Sequence, residues 1–243
     1  MNPTFLSDEI CVVITNYEFS ENADSLKERF GQFFPTILID SSSPRPPKLV
    51  DVTIPNFYYP GLWNGAVAYA LSMGFKWLIF VASDVDIQNV QLLCNKANEV
   101  TSISNIGVYS ASLTPDSRTS FPNLTNNGSR ALVECGLVEG FFFMSRTSIL
   151  KEIYPIQGEN RAGWGVDIKT CYQAYQQKYQ VVVDHRIQIY HPASLENHKI
   201  DMEKAGLEAI KYIGPDIHSW SEEIQEITKN NALSLEHDAN DRD

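Results

Sequence analysis

Two carboxylates at positions i and i+2, Asp84-Val85-Asp86, follow directly on the apolar run Phe75 to Ala82. Such a pair suits a divalent cation, Mg2+ or Mn2+, because these ions prefer oxygen ligands and combine one or two carboxylates with substrate phosphates and water. A cation held there would offset charge on a leaving diphosphate. An arbitrary Asp-x-Asp is more often a solvated turn; the buried strand in front of this one singles it out. A second acid stands in Gly163-Trp164-Gly165-Val166-Asp167, close to the start of a helix. The glycines permit close approach of a ligand, and Trp164 offers a ring that can stack on a sugar face. Asp167 then has two readings: a general base that accepts the proton of an attacking hydroxyl, or a carboxylate that complements a helix dipole. His191 ends the run Ile187 to Tyr190, where a neutral imidazole could complete a metal site. A lone histidine is usually no ligand, and His185, His198, His218 and His237 have no comparable placement. Asp40, after Ile37-Leu38-Ile39, could hydrogen-bond a nucleoside or cap the turn Ser41-Ser42-Ser43.

These residues need elements to bring them together. Ile10 to Ile14 reads as a strand, Thr15 to Glu18 as a loop, the stretch through Leu26 and Phe30 as a helix, and Thr36 to Ile39 as a second strand. Asn64 to Met73 is spaced as a helix, and Phe75 to Ala82 as a strand buried on both faces. Val90 to Val100 predicts a helix, Ile106 to Ala111 a strand, and Leu113 to Arg130, rich in Pro, Asn, Ser and Thr, a loop. Leu137 to Met144 is a strand candidate, Ser148 to Ile153 a short helix, Gly158 to Gly165 a loop and Val166 to Gln177 a helix. Val181 to Val183 and Ile187 to Tyr190 predict strands, and Lys199 to Ile213 and Ser221 to Thr228 helices. Alternating strands and helices imply an α/β fold, a mainly parallel central sheet with helices on both faces that binds ligands beyond the carboxyl ends of its strands. Thr15 to Glu18, Asp40 and Asp84 to Asp86 would then share one crevice.

Composition narrows the partners. The 243 residues are 43% hydrophobic and 20% charged, enough for a substantial core, with a formal net charge of -11. That balance leaves no basic stripe for nucleic acid or an anionic membrane. Cys11, Cys94, Cys135 and Cys171 are widely spaced and read as reduced core thiols. No apolar stretch approaches a membrane span, and no secretory signal opens the chain, which points to a cytoplasmic location, or to attachment at a membrane edge through partners. The sequons at Asn123 and Asn127 read as loop polarity. Residues 1–198 are expected to form the main domain, 199–233 a helical extension and 234–243 an unstructured tail.

In order, the motifs resemble the GT-A glycosyltransferases, particularly their family 2-like group, over about residues 10 to 192. Val12-Val13-Ile14-Thr15-Asn16-Tyr17 resembles the opening strand and nucleotide-binding loop, and Ile37 to Ser43 the second strand ending in an aspartate. Trp63-Asn64-Gly65-Ala66 is similar to the helix start before the metal motif, Trp77 to Asp86 to the strand that delivers the DxD, Gly163 to Asp167 to the GWG-x-D acceptor motif, and Tyr190-His191-Pro192 to a late histidine. Val166 stands where many relatives carry a second acid, and Ile14 where many carry a proline. The resemblance implies a (Rossmann-like) GT-A domain and a nucleoside-diphosphate-sugar site using Thr15, Tyr17, Asp40, Asn64 and Asp84. It further implies Mn2+ or Mg2+ on Asp86 and His191, acceptor contact through Gly163 and Trp164, and Asp167 as the base of an inverting transfer to a saccharide or glycoconjugate hydroxyl. A nucleotidyltransferase would also set carboxylates and a metal against phosphates, although no glycine-rich basic loop is present to cradle a triphosphate; a non-catalytic carbohydrate- or nucleotide-binding module is the third reading. Oligomeric state has no signature in the sequence.

Overall fold

The computed structural model describes residues 5–157, 160–192 and 201–240. His198, the first residues of the helix expected from Lys199, and the last three residues lie outside these. One sheet of eight strands forms the centre, in the order β3-β2-β1-β4-β7-β5-β8-β6. The strands are β1 (Ile10–Asn16), β2 (Thr36–Asp40), β3 (Val52–Thr53), β4 (Trp77–Ala82), β5 (Ile106–Leu113), β6 (Leu132–Glu134), β7 (Phe142–Arg146) and β8 (Gln180–Ile189). Six run one way, and β6 and β7 run against their neighbours. The sheet is therefore mainly parallel, as the alternation of elements predicts.

The helices are α1 (Ser20–Phe30), α2 (Tyr58–Ser72), α3 (Val90–Thr101), α4 (Thr147–Ile153), α5 (Val166–Gln176), α6 (Met202–Ile213) and α7 (Pro215–Asn240). From β1 the chain crosses through α1 to β2 on one side, and through α2 to β4 on the other. Crossovers between parallel strands are right-handed, so stepping to opposite sides of β1 puts α1 and α2 on opposite faces. Accordingly α1 packs with α3, and α2 with α4 and onward to α5. This reversal beside β1 is a topological switch point, the place where open α/β sheets take ligands.

The continuous apolar strands β1 and β4 are buried on both faces, and Trp63, Trp77, Phe80 and Phe143 are almost wholly enclosed. Phe80 and Phe143 stack across the antiparallel β4 and β7 pair with centroids 5.4 Å apart. All four cysteines are free and buried, and among the described residues no helix is long and apolar enough to cross a membrane.

Several elements differ from the sequence expectation. Helix α2 begins at Tyr58, ahead of Asn64, with Pro60 in its first turn, where a missing N–H costs nothing. The strand candidate Leu137 to Met144 is shifted to Phe142–Arg146, leaving Gly140 and Phe141 in the approach to β7. The two expected strands near the end of the domain are one, β8, interrupted in its pairing with β5 between Ala111 and Ser112. At that bulge Ser112 Oγ donates to the Ile187 carbonyl at 2.6 Å, and Asn126 donates to Ser112 Oγ and to the His185 carbonyl. Helix α7 is helical to Asn240, into the segment expected to be an unstructured tail; Ala232 to His237 contains no Gly or Pro to stop it.

Candidate active site

The Ser83 to Asp86 turn leaves the carboxyl end of β4 and is clamped on three sides. Ser83 N–H donates to the Thr15 carbonyl of β1, and Val85 N–H to Ala82. The Asn22 amide of α1 donates to the carbonyls of Ser83 and Val85 at 2.7 and 3.0 Å. Asp86 exchanges both backbone hydrogen bonds with Tyr190, an isolated antiparallel bridge that ties the turn to the residue before His191. As a result His191 Nε2 lies 3.4 Å from Asp84 Oδ2, both side chains being partly exposed. The Phe141 ring stacks on the imidazole at 4.0 Å with an interplanar angle of 8°. His191 N–H donates to Ser117 Oγ, and its carbonyl accepts from Arg118 N–H, so the backbone of His191 is tied to the Leu113 to Arg130 excursion while its ring is held by Phe141. Among the described residues, Asp84 Oδ1 and His191 Nδ1 are buried with no hydrogen-bond partner. The Asp86 side chain is exposed.

Beside this pair sits a buried polar network centred on Asn16, the last residue of β1. The Asn16 amide donates to Asp40 Oδ1 at 2.7 Å and to Ser43 Oγ at 3.1 Å, while its oxygen accepts from Ser83 Oγ at 2.7 Å and from Phe19 N–H. Asp40 has no exposed surface, and its second oxygen accepts from Ser43 N–H at 2.9 Å. Of the two roles open to it in the sequence, the structure displays the capping of the serine turn. Thr15 is buried and donates to the Val81 carbonyl. Asn64 is joined to the backbone of Ile156 in both directions, at 3.1 and 2.8 Å. Tyr17 is partly exposed, beside the Ser43 hydroxyl that receives Glu18 N–H. Among these, Thr15, Asp40 and Asn64 have their polar atoms engaged inside the protein.

Asp167 lies in the first turn of α5, after Gly165 in the left-handed region. Gly163 is left-handed too, with φ 70°, and a β-carbon there would stand 2.0 Å from the Tyr59 ring. Tyr59 in turn donates to the Gly140 carbonyl at 2.8 Å. Helix α6 closes the other side: a β-carbon on Gly165 would meet Ile213 at 2.6 Å. Within this enclosure burial, followed by repulsion from Glu139, pushes Asp167 up to about 7, against opposition from the N–H groups of Ile168, Gly140 and Asp167 itself. Burial and then the Asp167 charge likewise raise Tyr59 and Tyr212, the latter to about 12, so both phenols stay neutral near the acid. Glu139 accepts from Thr119 Oγ1 at 2.7 Å and from Ser120 N–H. The Trp164 carbonyl accepts from Asn160. Glu139 had no motif in the sequence; its only signal was position, one residue before the Gly140 to Phe143 run.

No protein-family model matches the chain, and no curated protein matches it. Its fold does match a solved structure, that of GalNAc-T7 with UDP, GalNAc and Mn2+, at a TM-score of 0.59 and 10% identity over 90% of this chain. The fold is the GT-A glycosyltransferase fold. The chain spans 50% of the GalNAc-T7 chain. A second solved structure, A197 from STIV, matches 76% of this chain and 86% of its own at 10% identity and a TM-score of 0.44, too loose to argue from. Within the GT-A sheet, the Asn16 network lies at the ends of β1, β2 and β4, beside the switch point, the Asp84 and His191 pair follows the ends of β4 and β8, and Asp167 stands at the start of α5.

Proposed function

We propose that this chain is a metal-dependent glycosyltransferase that moves a hexose or deoxyhexose from a nucleoside diphosphate sugar to a hydroxyl of a saccharide or glycoconjugate. The observation that carries the proposal is the contact of Asp84 with His191, at the carboxyl end of β4 in a GT-A sheet. The donor set fits a divalent cation: Asp84 Oδ2 and His191 Nε2 converge, and among the described residues Asp84 Oδ1 has no partner. Among the described residues no three His, Cys, Asp or Glu side chains cluster, so phosphate oxygens and water would complete the shell, as they commonly do for Mg2+ and Mn2+. The contact favours Asp84 with His191 as the protein's ligands, leaving the exposed Asp86 to meet the donor. When bound, the cation neutralises charge on the leaving diphosphate.

The remaining steps belong to the chain's own groups. The Asn16, Asp40 and Ser43 network fixes the ends of β1 and β2, the floor against which the nucleotide lies; Tyr17 is the group of that loop with surface to offer it. Gly163 and Trp164 shape the acceptor side. Asp167, with its proton affinity near neutrality, takes the proton of the attacking hydroxyl, and Glu139 keeps it from being too weak a base. Direct attack on the anomeric carbon inverts its configuration.

A panel of nucleotide sugars with and without Mn2+ tests this reading, beginning with UDP sugars because the GalNAc-T7 structure holds UDP. Metal-dependent release of the nucleoside diphosphate together with a glycosylated product is the expected result, lost in Asp167→Asn. Release of pyrophosphate, or donor binding with no transfer to any saccharide acceptor, would overturn it.

A further inference from the structure

A cleft of about 740 Å³ opens between the loop that enters α2 and the residues Ile156, Asn160 and Arg161. Of the residues named in the candidate site, Asn64, Ile156 and Asn160 line it, and the Asn64 amide is closed on Ile156. Two aromatic rings stand at its edge with large faces in solvent, Phe57 at 64% and Tyr58 at 45% exposure. Tyr58 adopts φ 57°, in the left-handed region that a bulky side chain rarely enters, so the loop holds that ring in place against its own preference. The Arg161 guanidinium sits 5.7 Å from the centre of the Tyr58 ring. Asn160 is 3% exposed; its amide donates to the Trp164 carbonyl at 2.8 Å, and among the described residues its own side-chain oxygen has no partner. A buried amide oxygen without a donor forgoes the hydrogen bond it would make to water, and a ligand hydroxyl would restore it.

We propose that this cleft binds a saccharide ring, laid against Phe57 and Tyr58, with hydroxyl groups reaching Asn160 and Arg161. Aromatic faces take the C–H face of a pyranose, while an amide and a guanidinium read its hydroxyls. Among the described residues of the lining Arg161 is the one that carries a charge, in a chain of formal net charge -11. The cleft adjoins the end of β2, where Ile54 N–H donates to the Asp40 carbonyl and Ser41 Oγ to the Asn56 side chain, but a nucleotide fits it less well, because its described lining offers one cation for two phosphates. Asn160 also receives Gly163 N–H on its carbonyl at 3.2 Å, which joins the cleft to the turn that leads into Asp167. In making this saccharide the acceptor, or an outer ring of it, the inference rests on the glycosyltransferase reading; the binding itself does not.

Saturation-transfer NMR and calorimetric titration with lactose, maltotriose, N,N′-diacetylchitobiose and N-acetylgalactosamine, without donor or metal, test the cleft. At least one sugar binds, and Phe57→Ala and Arg161→Ala weaken it about tenfold each with unchanged thermal unfolding, both positions being exposed. Phe57→Leu, which keeps the apolar volume and loses the ring, gives the same loss, whereas Asp84→Ala leaves the affinity unchanged. Absence of binding by all four sugars, normal binding by the Phe57 and Arg161 variants, or loss of UDP binding in those variants overturns the proposal. Failure of sugar transfer by the wild-type protein would remove the catalytic reading and leave this titration standing; a failed titration with transfer intact would remove the cleft alone.

Discussion

His191 Nε2 and Asp84 Oδ2 stand 3.4 Å apart because Tyr190 and Asp86 are bonded backbone to backbone. The pair is thus a product of strand pairing, and its geometry does not depend on the pair's own attraction. Asp84→Ala and His191→Ala should therefore fold, with stability changed by less than about 1 kcal/mol, as expected for partly exposed groups. Both should lose the Mn2+-dependent part of donor binding in a thermal-shift titration. Turnover should fall by about 10²-fold or more, since a metal supplies several kcal/mol of charge stabilisation. Unchanged metal dependence in Asp84→Ala would remove this pair as the cation site.

Asp40 should behave in the opposite way. Its carboxylate is wholly buried and accepts from Asn16, from Ser43 Oγ at 2.6 Å and from Ser43 N–H, so its removal leaves several buried donors without partners. We expect Asp40→Ala to cost about 3 kcal/mol or more in urea unfolding. Asp40→Asn, which keeps the shape but turns one acceptor into a donor, should cost about 1–2 kcal/mol. A variant that lost donor affinity with full stability would show that the residue meets the nucleotide directly.

The sequence disclosed the strands and helices whose periodicity was strong, and with them the convergence of strand ends on one crevice. It disclosed Asp84, Asp167 and His191 because each ends or begins such an element. It could not disclose which acid faces His191, because that depends on the Asp86 and Tyr190 bridge and on a bulge that merges two apparent strands into β8. Glu139 and Tyr59 were hidden for the same reason: each reaches Asp167 through tertiary packing between segments far apart in the chain. Asn16 was visible as a polar residue but not as a hub, since its partners come from β2, the serine turn and the end of β4.

Gly163 is held by Tyr59 as much as by its own backbone. Alanine there faces both a φ of 70° and a ring atom 2.0 Å from its β-carbon. Gly163→Ala should destabilise by about 2 kcal/mol or more, with the turn that carries Asp167 displaced and turnover reduced. Tyr59→Ala removes the ring but not the dihedral strain, so the double variant should be less unstable than the sum of the two singles; a double-mutant cycle on urea midpoints measures the difference. Strict additivity would mean that the ring contact is not what excludes a side chain.

Asp167 couples stability to pH in a direction that opposes its use as a base. Burial and Glu139 raise it from 3.8 to about 7, so the native state keeps a proton that the unfolded chain has already lost. The associated stability is fully present below about pH 4 and is lost as pH rises through about 7, by less than about 4 kcal/mol after allowance for partial exposure. Asp167→Asn should remove this dependence and be more stable than the wild type above pH 7, while transfer falls by about 10²-fold or more. In the wild type, transfer should climb with pH through an acid limb near 7, where the base loses its proton. Glu139→Gln removes the like charge, so the limb should move to lower pH and the stability loss should shrink with it. A limb that stays in place in Glu139→Gln, with donor binding intact, would mean that the ionisation governing transfer belongs to a group other than Asp167.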